Sequence, residues 1–148
     1  MGANAEEELT VTTKKMAAVL FSGTADELQA AATLVSGAAA MDMEVHVFLT
    51  SWALHAFRKD VIDEPLPLSP GYGELTETMA KLMKDKGVPP WHELLRMARS
   101  VGDVRIHACS MTTDLMGLRH SDLDELVDDV IGIATMIDMT DGAQLMFI

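Results

Sequence analysis

The chain has a single cysteine, Cys109, and so cannot close an internal disulfide. That suits a reducing cytoplasm, the compartment expected for it. Cationic residues are also scarce: 11 lysines and arginines stand against 23 aspartates and glutamates, a formal net charge of −12 at pH 7. A nucleic-acid backbone must be met by clustered lysine and arginine, so no nucleic-acid partner is expected. Hydrophobic residues make up 49% of the chain, yet no uninterrupted apolar run approaches the roughly 20 residues that cross a bilayer, and no membrane span is expected. Aromatics are few, at 5%, while methionine occurs 12 times, which points to a deformable core or an oligomer interface. The five histidines are scattered and give no pair at a recognised ligand spacing, so neither a metal site nor a cofactor is expected.

A chain of 148 residues fits one domain with a full hydrophobic core. The expected division is a disordered tail over residues 1–14 and a single α/β domain over 15–148. The tail has Glu6 where a myristoylation signal needs Ser or Thr, and no apolar secretory region precedes Lys15. Apolar runs over 14–21 and 44–49 each end in small polar residues, Ser22-Gly23-Thr24 and Thr50-Ser51, and turn directly into helical patterns. Thr24 and Glu27 have the spacing of a capping box. Two such β-then-α units imply parallel strands joined by right-handed crossovers. Residues 60–73 hold three prolines and two glycines and read as a loop, either a lid or oligomer contact or a span across the sheet edge. A helix over 74–86 is expected to turn Leu75, Met79, Leu82 and Met83 inward, and a second over 91–100 to pack through Leu94, Leu95, Met97 and Ala98. Further strands are expected over 104–108, 130–132 and 143–148, with the acidic run 122–129 as a solvated helix face. The alternation predicts a three-layer α/β/α sandwich with about five mostly parallel strands.

In open sheets of this kind ligands bind beyond the carboxyl ends of the strands. Three such ends bring together Ser22 and Gly23, Thr50 and Trp52, and Cys109 with Ser110 and Met111. Cys109 stands where a buried strand passes into a helix, and a helix start presents free N–H groups and positive partial charge to a thiolate. Ser110 and the backbone around Met111 are the candidate donors, with Ser22 and Gly23 across the crevice. His107, two residues earlier, shares the face of Cys109 if both lie on the strand; it is otherwise a histidine hydrogen-bonded within the sheet. Cys109 itself is either a reactive thiolate or a buried, inert thiol. Ser22-Gly23-Thr24 lacks a P-loop lysine, so nucleotide binding is unsupported.

The segments Phe21-Ser22-Gly23, Val45-His46-Val47-Phe48-Leu49-Thr50, Ala108-Cys109-Ser110-Met111 with Asp114-Leu115-Met116-Gly117, and the closing 143–148 make the chain resemble the DsrE/DsrF/DsrH-like sulfur-transfer family. The resemblance is to the branch often named predicted peroxiredoxins. It implies a small α/β subunit that assembles into homo-oligomers, trimers or hexamers, and a cysteine that holds persulfide sulfur. Only Cys109 matches that cysteine. The partners implied are sulfur donor or acceptor proteins such as TusA-like or rhodanese-like carriers. Peroxiredoxin activity is not expected, because no Pro/Thr-containing peroxidatic signature precedes Cys109. The expected function is a cytoplasmic sulfur carrier or sulfurtransferase-like protein; the alternatives are a non-catalytic oligomeric binding or assembly module and a thiol redox sensor.

Overall fold

The structure is a computed structural model that describes residues 13–148. The tail expected over 1–14 lies, as far as residue 12, outside the described residues. Five strands, β1 (Lys15–Leu20), β2 (Glu44–Leu49), β3 (Val104–Cys109), β4 (Asp129–Ile131) and β5 (Gln144–Phe147), form one sheet in the order β4-β3-β2-β1-β5. Every pairing is parallel. Six helices connect them: α1 (Ala25–Ala40), α2 (Ser51–Ala56), α3 (Leu75–Asp85), α4 (Trp91–Val101), α5 (Ser110–Met116) and α6 (Ile133–Met139). The architecture is the expected α/β sandwich.

Strand order decides which face each connection covers. The chain steps from β1 through β4 in one direction, so right-handed crossovers keep those connections on one face. There Leu28, Val35 and Ala39 of α1 and Leu95 of α4 pack on Leu20, Val47 and Ile106. The return from β4 to β5 runs the other way, and the same handedness carries α6 to the opposite face. On that face a small second core joins Ala17, Phe48 and Cys109 to Met136 of α6. The two layers are unequal: 16 residues of α1 on one side, seven of α6 on the other.

Several expectations are corrected. The expected capping box is not formed; Thr24 makes no side-chain cap bond. Its hydroxyl lies 3.1 Å from that of Ser22, and Glu27 accepts instead from Ser69 Oγ. Ser69 belongs to the 60–73 loop, which docks on the start of α1: Ala25 N–H donates to the Pro67 carbonyl at 2.9 Å, and Ser69 N–H to Asp26 Oδ1. The apolar face of α3 is not sealed as expected: Leu75, Met79 and Leu82 are exposed and Met83 is half-buried, and the four line an open cavity toward α1 and the 60–73 loop. Leu34 and Met97 are exposed as well.

The acidic run is no helix but a 3₁₀ turn, His120–Asp122, followed by a bridge at Leu123 and a turn over Asp124–Val127 that leads into β4. Its carboxylates find partners within the chain. Asp124 accepts from Arg96 and from the Leu126 N–H, and Asp128 from Arg99 and from the Ile106 N–H. Acceptors that hold backbone N–H groups compete with a helix, which explains the difference. Leu123, Leu126 and Val127 are buried.

Ile106 is fully buried and Leu115 is 83% exposed. Ile106→Ala should lower the unfolding free energy by about 2–5 kcal/mol, and Leu115→Ala should change it by under about 0.5 kcal/mol. Urea denaturation of the two variants checks this contrast.

Candidate functional site

Four strand ends meet at the carboxyl edge of the sheet, joined by close contacts. After β1, the chain turns at Ser22-Gly23 and runs against α2. A Cβ on Gly23 would stand 2.7 Å from the Trp52 carbonyl oxygen, so only glycine allows this approach. After β2, Thr50 and Ser51 are held by Thr112 of α5, whose hydroxyl lies 3.2 Å from Thr50 Oγ1 and accepts the Ser51 N–H at 3.3 Å. Ser51 has φ +50°, a left-handed conformation rare outside glycine. The turn from β2 into α2 is therefore strained, and Thr112 fastens it. After β4, Gly132 lies beside Ser110 Oγ.

Cys109 sits at this edge as the last residue of β3 and the residue that caps α5. Its side chain makes no hydrogen bond to the first N–H groups of α5. It turns onto the sheet face beneath α6, among Phe48 and Met136, and is 9% exposed. Ser110 and Met111 thus flank the sulfur in sequence, but donation from their N–H groups to it is not a feature of this conformation. Met111 is exposed, as is Trp52. Ser22, Gly23, Thr50, Trp52 and Ser110 all lie at the strand ends along this edge. Tyr72 and His92 lie elsewhere: Tyr72 lines a cavity of about 540 Å³ between α1 and α3, and His92 packs edge-on against Trp91.

His107 shares the face of Cys109, since both lie on β3 two residues apart. Its ring nitrogens are taken by other partners, however. His107 Nε2 lies 2.9 Å from His46 Nδ1, and His107 Nδ1 lies 2.6 Å from Asp129 Oδ1. His46 Nε2 in turn lies 2.8 Å from Glu44 Oε1. This hydrogen bond is the main cause that holds the Glu44 carboxyl below the ordinary glutamate range, with Lys15 and Arg105 adding to it. Among the described residues no group of three or more histidine, cysteine or acidic side chains is arranged to hold a metal ion. No described helix is long and apolar enough to cross a membrane.

Sequence reasoning missed Thr112, Glu44, His46 and Asp129. Glu44 and His46 carried a signal, for they stand at i and i+2 on one strand and so share a face with each other. Asp129 joins them only through the register that sets it beside His107.

The model of the DsrE/DsrF/DrsH-like family matches residues 12–68 and 64–147. The chain belongs to this family. The chain is also similar to curated proteins and, in fold, to solved structures. One relative is the uncharacterized protein YrkE of Bacillus subtilis, 31% identical, with 95% of this chain and all of that protein covered. Another is the sulfur carrier protein DsrE2 of Allochromatium vinosum, 30% identical over 79% of this chain and 85% of that protein. Among solved structures, a protein of unknown function, MTH1491 from Methanobacterium thermoautotrophicum, superposes with a TM-score of 0.57 at 17% identity, covering 91% of this chain and 99% of that one. The ychN protein from E. coli does so with 0.53, also at 17% identity, covering 90% and 99%. These two likenesses concern the fold.

Because the folded carboxyl of Glu44 is held low, its stabilising effect is complete above the ordinary glutamate value of about 4.3 and is lost as pH falls through the lower, folded-state value. Thermal melts from about pH 7 to about pH 3 should show melting temperature falling, and Glu44→Gln should make that fall shallower.

Proposed function

We propose that this chain is a sulfur carrier that holds sulfane sulfur as a persulfide on Cys109. Membership of the DsrE/DsrF/DrsH-like family and similarity to a protein named as a sulfur carrier support a role in sulfur relay. The observation that carries the finer reading is the position of the only thiol, at the carboxyl end of β3 where the turns after β1, β2 and β4 gather. In the proposed step the Cys109 thiolate attacks the outer sulfur of a donor persulfide, R–S–S⁻. The new S–S bond forms as the donor bond breaks, and its electron pair leaves with the donor as R–S⁻. The same exchange in reverse direction delivers the sulfur to an acceptor thiolate, with no external oxidant. A second thiol within the chain is absent from the sequence, so donor and acceptor are other molecules: small thiols, or proteins of the TusA-like or rhodanese-like kind. Such chemistry belongs in a reducing, cytoplasmic setting, where a lone thiol stays reduced.

The low exposure of Cys109 favours a second reading, an assembly module in which the thiol only packs. One assay separates the two. The full chain is incubated with polysulfide and its intact mass taken; the carrier reading expects a species one sulfur heavier, reversed by thiol and missing in Cys109→Ser. Native protein that stays unloaded while Cys109 is alkylated under the same conditions contradicts the carrier.

Assembly as a homo-oligomer is part of the proposal. On the thinly covered face, Ile133 and Ile137 of α6 and Leu145 and Phe147 of β5 are each more than half exposed. Phe21 stacks on Phe147 there, ring centroids 6.1 Å apart. A contiguous apolar surface is characteristic of subunit contacts. Light scattering should give a mass several times that of one chain, and Phe147→Glu should lower it toward the monomer; a monomer at micromolar concentration in the unaltered protein refutes the assembly.

A further inference from the structure

His46 and His107 are sealed in the sheet, each 1% exposed, with ring centroids 5.2 Å apart. Their nitrogens complete a line of four groups, Glu44, His46, His107 and Asp129, joined by three contacts of 2.8, 2.9 and 2.6 Å. Three hydrogen bonds require three protons. A carboxylate only accepts, and a neutral imidazole carries one N–H, so two neutral rings supply two. One contact would then set a lone pair against a lone pair, with rings that water does not reach. A third proton satisfies all three contacts. One ring is then imidazolium, and the central proton can sit on His46 Nδ1 or His107 Nε2 without disturbing the outer bonds. The lowered carboxyl of Glu44 keeps it an acceptor.

We propose that Glu44, His46, His107 and Asp129 bind three protons as one unit, and that the third proton latches β4 and α6 over Cys109. Asp129 opens β4, an edge strand of three residues that pairs only with β3. β4 leads through Gly132 into α6, whose Met136 packs with Cys109. Losing the third proton breaks one contact of the line. The Asp129 end is the one that yields, because Glu44 has Lys15 and Arg105 nearby whereas the ion-pair partner of Asp129 is His107. The other charges around the line are few. Lys15 Nζ of β1 also lies 3.5 Å from the Met139 carbonyl of α6, Arg105 pairs with Asp103, α6 brings the exposed Asp138, and β5 brings none. The closed form holds one proton more than the open form. Opening therefore releases one proton, so closure is favoured by lower pH.

The inference stands apart from the sulfur-carrier reading, since its readouts involve no sulfane sulfur. On the full chain, nitrogen NMR of the imidazoles counts ring protons, and amide hydrogen exchange, corrected for the intrinsic pH dependence, follows residues 133–139. The count should be three N–H groups over His46 and His107 at about pH 6. Protection of α6 should fall as pH rises, by at most about tenfold per pH unit, the slope of one linked proton. Asp129→Asn should lower protection about tenfold at about pH 6 and flatten its pH profile. Two neutral rings with one N–H each at about pH 6, or the same pH profile in Asp129→Asn as in the unaltered chain, overturns the proposal.

Discussion

One reversal of direction shapes this molecule. Four strands are laid down in sequence toward one edge, and the fifth returns to the far side of β1. Since crossovers keep one hand, that reversal sends a single short helix, α6, to a face the other connections leave bare. The thick layer, built on the alanine-rich α1, gives the domain its main core. The thin layer leaves Cys109 under Met136 of α6, in a small cluster with Ala17 and Phe48.

The same asymmetry separates stability from chemistry. On the α1 side, Val45, Val47, Leu49 and Ile106 are sealed among hydrophobic neighbours. On the α6 side the strands carry Glu44, His46, His107 and Cys109, residues whose burial has to be compensated by hydrogen bonds. The compensation is complete for the histidines and uses acidic groups from β2 and β4. The strand-end crevice is fastened in a different way, by Thr112 across to Thr50 and Ser51 and by the glycine that lets the first turn approach Trp52.

The sheet, its parallel pairing and the placement of the only thiol at a strand end were legible in the sequence, because apolar runs ending in small polar residues report directly on buried parallel strands. Amphipathic spacing was less informative for α3: Leu75, Met79 and Leu82 fall on one helical face, but nothing in the spacing says whether that face meets a partner. The acidic run was misjudged because Asp124 and Asp128 bind backbone N–H groups, a local competition that helix propensity does not register. The Glu44–Asp129 line was the hardest to foresee. It spans 85 positions of sequence and exists only through the β3–β4 register.

What unites these features is an account in which Cys109 both receives and releases sulfur. The most direct measurement loads Cys109 with an isotopically labelled outer sulfur and presents a small acceptor thiolate. Label recovered on the acceptor, with Cys109 restored as a thiol, is the predicted result; label that stays on the protein while the acceptor is in large excess contradicts the account.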